Sequence, residues 1–588
     1  MKIKIKLIQH SIRTILLIQI LSTLSLSTQL KTNLRSLTDY PTLTFSEGTI
    51  TETIEGSGYS ISGTTLTISD SGTYILTGTC SECNVDIKKS ITNVILILNS
   101  LNLSCSTSAP IVLKKSTSVT IQLLGTSTLT DLENIENEEN DDFEGAAIKL
   151  KSGSNLIIEG SGTLNAIGSS CKNGIKGGAT ASITINSGII NIKAANNGLA
   201  SDGSIIINDG TINISSDNDG IKSEPDSDDT ESEGSITING GTFIINSQGD
   251  GIQATSTLTI NNGVFTINSL SGYDDSTFDS DTMSCKGLKA STNENGDIVP
   301  VMKITGGTFN INTPDDAVHS DGSIIITGGT FNIYTGDDGV HAEGAVTLGN
   351  QNGSNNDLSI TIKYSYEGLE GSTITIYSGT YNIYSTDDGI NVAGGSSSNT
   401  SGPKQGNQGG FGPRRLDDTY SIYIYSGKIY VNAEGDGLDS NGNIYIYGGT
   451  IEVWGMKTGG DNEPLDHDGS LEIYDATILG GGTKGMEYLH SGIDKINQNY
   501  IYSTKSITSE QSIYVYNDNE NIVYETKTPK DVNYLFFTSP DTDSSYSFAT
   551  PSGKISSSYG SKNSESGGIS SSNHLYFKFI FIFFFVIM

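Results

Sequence analysis

Acidic residues recur in this chain at fixed offsets. Asp315-Asp316 and Asp337-Asp338 lie 22 residues apart, Asp387-Asp388 follows in the same context, and Asp436, Asp439, Asp466 and Asp468 continue the series. If equivalent residues stack about 4.8 Å apart, their carboxylates repel one another. Protonation, water or a cation relieves such repulsion. Calcium suits it, being hard, oxygen-liganded and tolerant of irregular shells of six to eight ligands. These ten aspartates are the candidate Ca2+ ligands; the competing reading is that Asp-Gly simply makes good turns.

Other chemistry shares this spacing. His319 and His341 fall at one offset of adjacent repeats, where they are either transition-metal ligands or outward hydrogen-bonding residues. Lys176, Lys222 and Lys289 occupy the same offset earlier in the chain and are candidate contacts for sugar. Tyr377, Tyr425, Tyr447 and Tyr474 form a late aromatic column, with Tyr423 and Tyr445 beside it. Such a ladder either stacks on sugar rings or stacks on itself to stabilise the sheet.

The elements that must hold these columns are short strands. From about residue 174 to 490 a unit recurs around a Gly that follows the acidic residue, with its tightest spacings at 21 to 24 residues. Each unit carries three period-2 segments separated by Gly-rich turns, as in Val318 to Ser320, Ser323 to Ile326 and Thr330 to Ile333. Alternation points Ile324, Ile326, Phe331 and Ile333 inward. One unit cannot bury that face alone, but stacked units can. The expected fold is all-β: a right-handed parallel β-helix, a three-sheet solenoid of about 22 residues per coil, followed by a small antiparallel β unit. Gly-Gly at 240–241, 306–307, 328–329 and 448–449 marks a corner needing positive φ.

The expected organisation is a signal peptide at 1–27, with Lys2, Lys4, Lys6 and Arg13 before an apolar run, then the β-helix over 45–490. A small β unit or cap follows at 491–550, and a Ser/Gly-rich stalk at 551–573. The hydrophobic tail at 574–588 reads as a GPI-anchor signal, so the membrane is reached through a lipid anchor or tail. The expected location is therefore the cell surface. Asn102, Asn213, Asn352 and Asn399 head glycosylation sequons. One pair among Cys80, Cys83 and Cys105 is open to bridging, whereas Cys171 and Cys285 are too many coils apart to bridge each other. The chain carries 66 acidic against 33 basic residues, a net charge of −33, which argues against nucleic acid as a partner.

Several motifs then carry a resemblance in order along the chain. They are Ser71-Gly-Thr-Tyr-Ile-Leu-Thr-Gly, Asn93-Val-Ile-Leu-Ile-Leu-Asn, Gly160-Ser-Gly-Thr-Leu, Tyr366-Glu-Gly-Leu-Glu-Gly, Gly435-Asp-Gly-Leu-Asp-Ser-Asn-Gly and Asn462-Glu-Pro-Leu-Asp-His-Asp-Gly. Over about residues 45 to 545 the chain resembles the carbohydrate-binding β-helix family of cellulosome-associated bacterial proteins. The resemblance implies a pectate-lyase-like fold, bound calcium, and affinity for polygalacturonate and for cellulose, without an activity. The apparent tail departs from the bacterial pattern, which leaves acidic plant or cell-surface glycans open as ligand. Two other classes compete. A polysaccharide lyase needs a strong base near calcium; the only arginines are Arg13, Arg35, Arg414 and Arg415, leaving Lys176, Lys222 and Lys289 as conceivable bases. A structural adhesin or coat rod would need neither.

Overall fold

The computed structural model describes residues 37–560, apart from residues 135, 137–142, 171, 226–231, 233, 294, 352–357, 393–419, 457–462, 484–494 and 541–544. The expected leader and tail, residues 561–573 of the expected stalk, the Gly-rich insert, Cys171, Asn352 and Asn399 lie outside the described residues, whereas the start of that stalk is not a linker: Gly553–Lys554 and Ser558–Gly560 are strands that pair with Tyr546–Thr550 and Tyr500–Ser503.

Short alternating sequences here make strands and almost nothing else. Among the described residues there is one 3-10 turn, Leu37–Asp39, and no α-helix. Two antiparallel hairpins open the chain, pairing Thr42–Ser46 with Thr49–Ile54 and Tyr59–Ser62 with Thr65–Ile68. From Ile111–Leu113 through Val318–Ser320, and again from Thr380–Ser385 to Gly449–Trp454, each strand pairs in parallel with the third strand after it, and longer strands elsewhere take the place of two, so three strands make one turn of a parallel β-solenoid. One turn runs Ser204–Ile207, Thr211–Ser216 and Ile221–Ser223; the next runs Ser235–Ile238, Thr242–Ser247 and Ile252–Ala254. Where no insert intervenes, equivalent residues are 22 apart, as in Asn191 and Asn213.

The alternation decides what is buried. Ile183, Ile205, Ile236, Leu258, Met302 and Ile324 stack in register and are fully inside. Phe243, Phe265, Phe309 and Phe331 form an internal stack with centroids 4.4 to 4.7 Å apart. Outside, amides do the stacking: Asn208, Asn239 and Asn261 each donate from Nδ2 to Oδ1 of the residue one coil back, at 2.7 to 2.8 Å.

The glycines divide into two kinds. Gly241, Gly307, Gly329 and Gly449 have φ between 103 and 113°, as expected of a left-handed corner. The glycines after the acidic residue have a different reason. A Cβ on Gly220 would lie 2.4 Å from Ile245 Cγ2 and 2.5 Å from the Gly251 carbonyl oxygen, so the next coil leaves no room for a side chain.

At the far end, Ala476–Gly482 continues the parallel ladder on Gly449–Trp454 and is met on its other side by antiparallel Tyr534–Thr538. Ser512–Asn517, Ile522–Lys527, Tyr546–Thr550 and Gly553–Lys554 make a separate four-stranded antiparallel sheet. Tyr534–Thr538 thus belongs to the solenoid's end rather than to the small sheet. Cys80 and Cys83 are bonded to each other, and Cys105 and Cys285 are free and buried.

Candidate functional site

Every coil presents the same two outward positions on one face. After each close-packed Gly comes a three-residue strand whose middle residue points outward. Strand register stacks Lys149, Lys176, Ala200, Lys222, Gln253, Lys289, His319, His341 and Glu370 in one column. Asn391, Asp439 and Asp466 complete it. The second position is the residue just before the Gly, and it forms a capping ladder. Oδ1 of Asn197, Asp219 and Asp250 accepts the backbone N–H of Asp219, Asp250 and Lys286 at 3.0, 2.8 and 2.7 Å. Asp316 caps Asp338 and Asp338 caps Glu367, at 3.1 and 3.0 Å. Asp388 caps Asp436 at 2.7 Å, and Asp436 caps Glu463. The ladder breaks at Lys286 and Glu367, where no short acceptor is present. Turn making and ligand chemistry are therefore not exclusive: one carboxylate oxygen holds the next coil, leaving the other.

The face divides into three chemical zones. In the lysine zone the ammoniums are mostly spoken for. Lys176 pairs with Asp202, Lys222 with Asp219 at 3.1 Å and Glu224 at 2.7 Å, and Lys289 with Asp250 at 3.0 Å. Lys286 lies 2.5 Å from Asp315 and 3.0 Å from Asp316. Burial works against its charge, but Asp316 and Asp315 outweigh it and hold it protonated.

The middle zone is built on histidine. His319 bridges Asp316 and Asp321, 2.8 Å on either side, and His341 meets it edge to face at 5.0 Å. Asp316, His319 and His341 bring ligand atoms within 4.8 Å of one another, as do Asp338, His341 and Glu370, and as do Asp315, Asp316 and Asp337. Asp315 and Asp316 are already neutralised by Lys286, which sets them apart from the other candidate ligands.

The carboxylate zone has no such neutralisation. Asp388, Asp436 and Asp439 bring oxygens within 4.8 Å of one another, and none forms an ion pair with a basic side chain among the described residues. Burial, then Asp388 and Asp466, pushes Asp436 up to about 9. The same causes push Asp439 up to about 8, and burial lifts Asp388 to about 6. Glu367 is raised to about 8 by burial and by Glu370. Asn391, next to Asp439 in the column, gives its Nδ2 to Glu367 at 2.8 Å, while its buried Oδ1 has no partner. An orphaned amide oxygen beside three crowded carboxyls is an oxygen-only donor set, and it fits calcium. Asp387, with burial, raises the Tyr366 hydroxyl above its ordinary value. Asp466 extends the column one coil beyond Asp439, and Asp468 follows just past its strand.

The tyrosine column stacks on itself. Tyr377, Tyr425, Tyr447 and Tyr474 have successive centroids 4.9 to 5.1 Å apart and planes within 19°. Their faces are shared, and rims and hydroxyls are what they offer to solvent. Asn213 donates its Nδ2 to Asn191 at 2.8 Å inside a strand, and Asn102 donates to Thr79 at 3.3 Å.

Residues 62–339 match the sequence model of a family described as carbohydrate-binding domain-containing protein. The match spans just under half of the chain. A solved structure described as the polysaccharide lyase-like protein from C. thermocellum, in a gadolinium derivative, is similar at 28% identity with a TM-score of 0.35. That likeness covers 39% of this chain and 90% of the other. No curated protein matches the chain.

Sequence reading missed Lys149 and Asn391. Lys149 precedes the clear repeats, and only strand register puts it under Lys176. Asn391 stood in the column, but nothing in its neighbours signalled an unsatisfied oxygen.

Proposed function

We propose that this chain is a non-catalytic polysaccharide-binding rod whose carboxylate coils hold calcium and engage acidic glycans. The observation that carries the reading is the convergence of Asp388, Asp436 and Asp439, which have no basic partner among the described residues, in the coils that also hold the buried Asn391 oxygen, unpartnered among those residues. Bound there, calcium neutralises the carboxyls and offers open coordination to a uronate carboxylate. Asp388 and Asp436 spend one oxygen each on the next coil, which fixes the other in place. The family match over residues 62–339 supports carbohydrate as the ligand class. No arginine occurs from residue 36 to residue 413, which favours binding over elimination chemistry. Export and a membrane tether belong to the same proposal, and the Cys80–Cys83 disulfide supports an oxidising compartment.

The test is calorimetric titration of the purified protein with calcium, followed by polygalacturonate retention with and without chelator. Wild type should bind calcium and retain the polymer more strongly with it. Asp436→Asn with Asp439→Asn should remove at least one calcium site and weaken calcium-dependent retention roughly tenfold or more. Absence of calcium heat and of retention in the wild type overturns the proposal. Unsaturated uronate products would replace it with a lyase.

A further inference from the structure

The column that ends in carboxylates carries lysines in its earlier coils, and the ammonium of the first of them has no partner among the described residues. Lys149 stands in the strand Ala146–Leu150, outward between inward Ile148 and Leu150, in register with Lys176 of the next coil. Its neighbours form a dense charged cluster. Lys114 reaches Glu144 at 3.3 Å and Asp86 at 3.7 Å, Lys151 reaches Glu144 at 2.6 Å, and Lys176 pairs with Asp202. Every carboxylate in the cluster is thus engaged by another lysine. Four ammoniums (Lys114, Lys149, Lys151, Lys176) share three carboxylates (Asp86, Glu144, Asp202), and the Lys149 ammonium makes no ion pair or hydrogen bond among the described residues.

That arrangement is costly as it stands. Lys149 is partly buried, and burial, then the Lys176 and Lys151 ammoniums, pushes its amine down to about 8. One incoming anion would relieve both costs, and in a chain of net charge −33 a locus with a surplus cation is unusual. Next along the column is Ala200, which is buried under its neighbours. The cationic side of the face therefore offers charge to a group projecting from a chain laid along it.

We propose that Lys149, with Lys176 and Lys151 beside it, forms a calcium-independent subsite for one carboxylate of an acidic sugar. The inference rests on the polysaccharide-binding reading above and adds a second mode to it. The same outward column meets uronate directly through ammonium in its early coils and through a cation in its late ones. A neutral glucan has nothing to place there.

The test is trigalacturonate binding to the full chain in excess EDTA, which silences the carboxylate coils. Wild type should bind, more weakly as salt rises, and more weakly as pH rises through 8 because the free amine loses its proton. Lys149→Gln should lower affinity about tenfold, the worth of one charge-assisted contact. Lys149→Arg should keep it, and the thermal midpoint of Lys149→Gln should be no lower than that of wild type. Cellotriose should not distinguish the three proteins. Equal affinity of wild type and Lys149→Gln, or no binding of the wild type in EDTA, overturns this subsite. If calcium still restores polygalacturonate retention, the broader reading survives that result; if retention is absent with calcium too, it is the broader reading that has failed.

Discussion

His341 joins the crowded carboxyls among the groups whose charge changes between pH 6 and 9. Its Nδ1 lies 3.5 Å from Asp316 and 3.4 Å from Asp338, and its Nε2 lies 3.5 Å from Glu370 and 4.0 Å from Glu343, with His319 against its face. Burial works against the imidazolium, but Asp316 and the two glutamates outweigh it and raise the group to about 9. A histidine raised on folding adds stability that is fully present below its unfolded value near 6.5 and is lost as pH rises through 9. In chelator, the thermal midpoint should therefore fall between pH 6.5 and 9, and His341→Gln should flatten that slope by an effect of about 3 kcal/mol. A midpoint equally pH-dependent in the variant would place the titration elsewhere. The existence of this column was legible in the sequence, because offsets from the repeated Gly survive inserts. The division of labour within it was not. That Lys286 neutralises Asp315 and Asp316, leaving Asp388, Asp436 and Asp439 bare, depends on where a long side chain reaches across a turn. Spacing carries no information about that.

At the scale of the coil, period-2 alternation specified which residues stack inside, and the paired glycines marked a corner that does need positive φ. The glycine after each acidic residue was legible as a landmark but not in its cause. Its constraint comes from the following coil, through an Ile methyl and a Gly carbonyl that a single repeat does not contain. This gives a clean contrast. Gly220→Ala should cost about 1–3 kcal/mol by forcing two coils apart. Gly178→Ala, whose nearest neighbours sit at an ordinary 3.5 Å, should cost well under that. Chemical denaturation of both variants against wild type measures the difference, and equal costs would mean the coils can slide enough to absorb a methyl. The tyrosine column belongs to this scale as well. Sequence left it divided between sugar stacking and self-stacking, and the near-parallel rings at about 5 Å make self-stacking its structural role.

Over the whole molecule, a stack of parallel coils has two ends, and each end is an unpaired edge unless something covers it. Tyr534–Thr538 covers the late end by pairing antiparallel with Ala476–Gly482, and it carries a second apolar core with it. Trp454, Leu479, Phe537 and Phe548 are fully buried together there, apart from the main column of aliphatics. Polar groups tie the small sheet to the last coils: Tyr524 and Thr526 hydroxyls donate to Glu452 at 2.9 and 2.7 Å, and the Trp454 indole donates to the same carboxylate at 2.9 Å. Alternation in the sequence revealed these late strands but not their partners, since an antiparallel pairing across fifty residues leaves no periodic trace. The single Trp makes the junction observable. A chain ending at residue 503 should lose Tyr534–Thr538 and the small sheet, shift its Trp454 emission to the red, and associate through the bared edge as concentration rises. Because each coil leans only on its neighbours, far-UV dichroism of the earlier coils should persist in that fragment. Red-shifted emission with retained β signal and growing particle size by light scattering would identify the late strands as a cap. A monomeric fragment with unshifted emission would mean that the last coil protects its own edge, and the small sheet would then need another purpose.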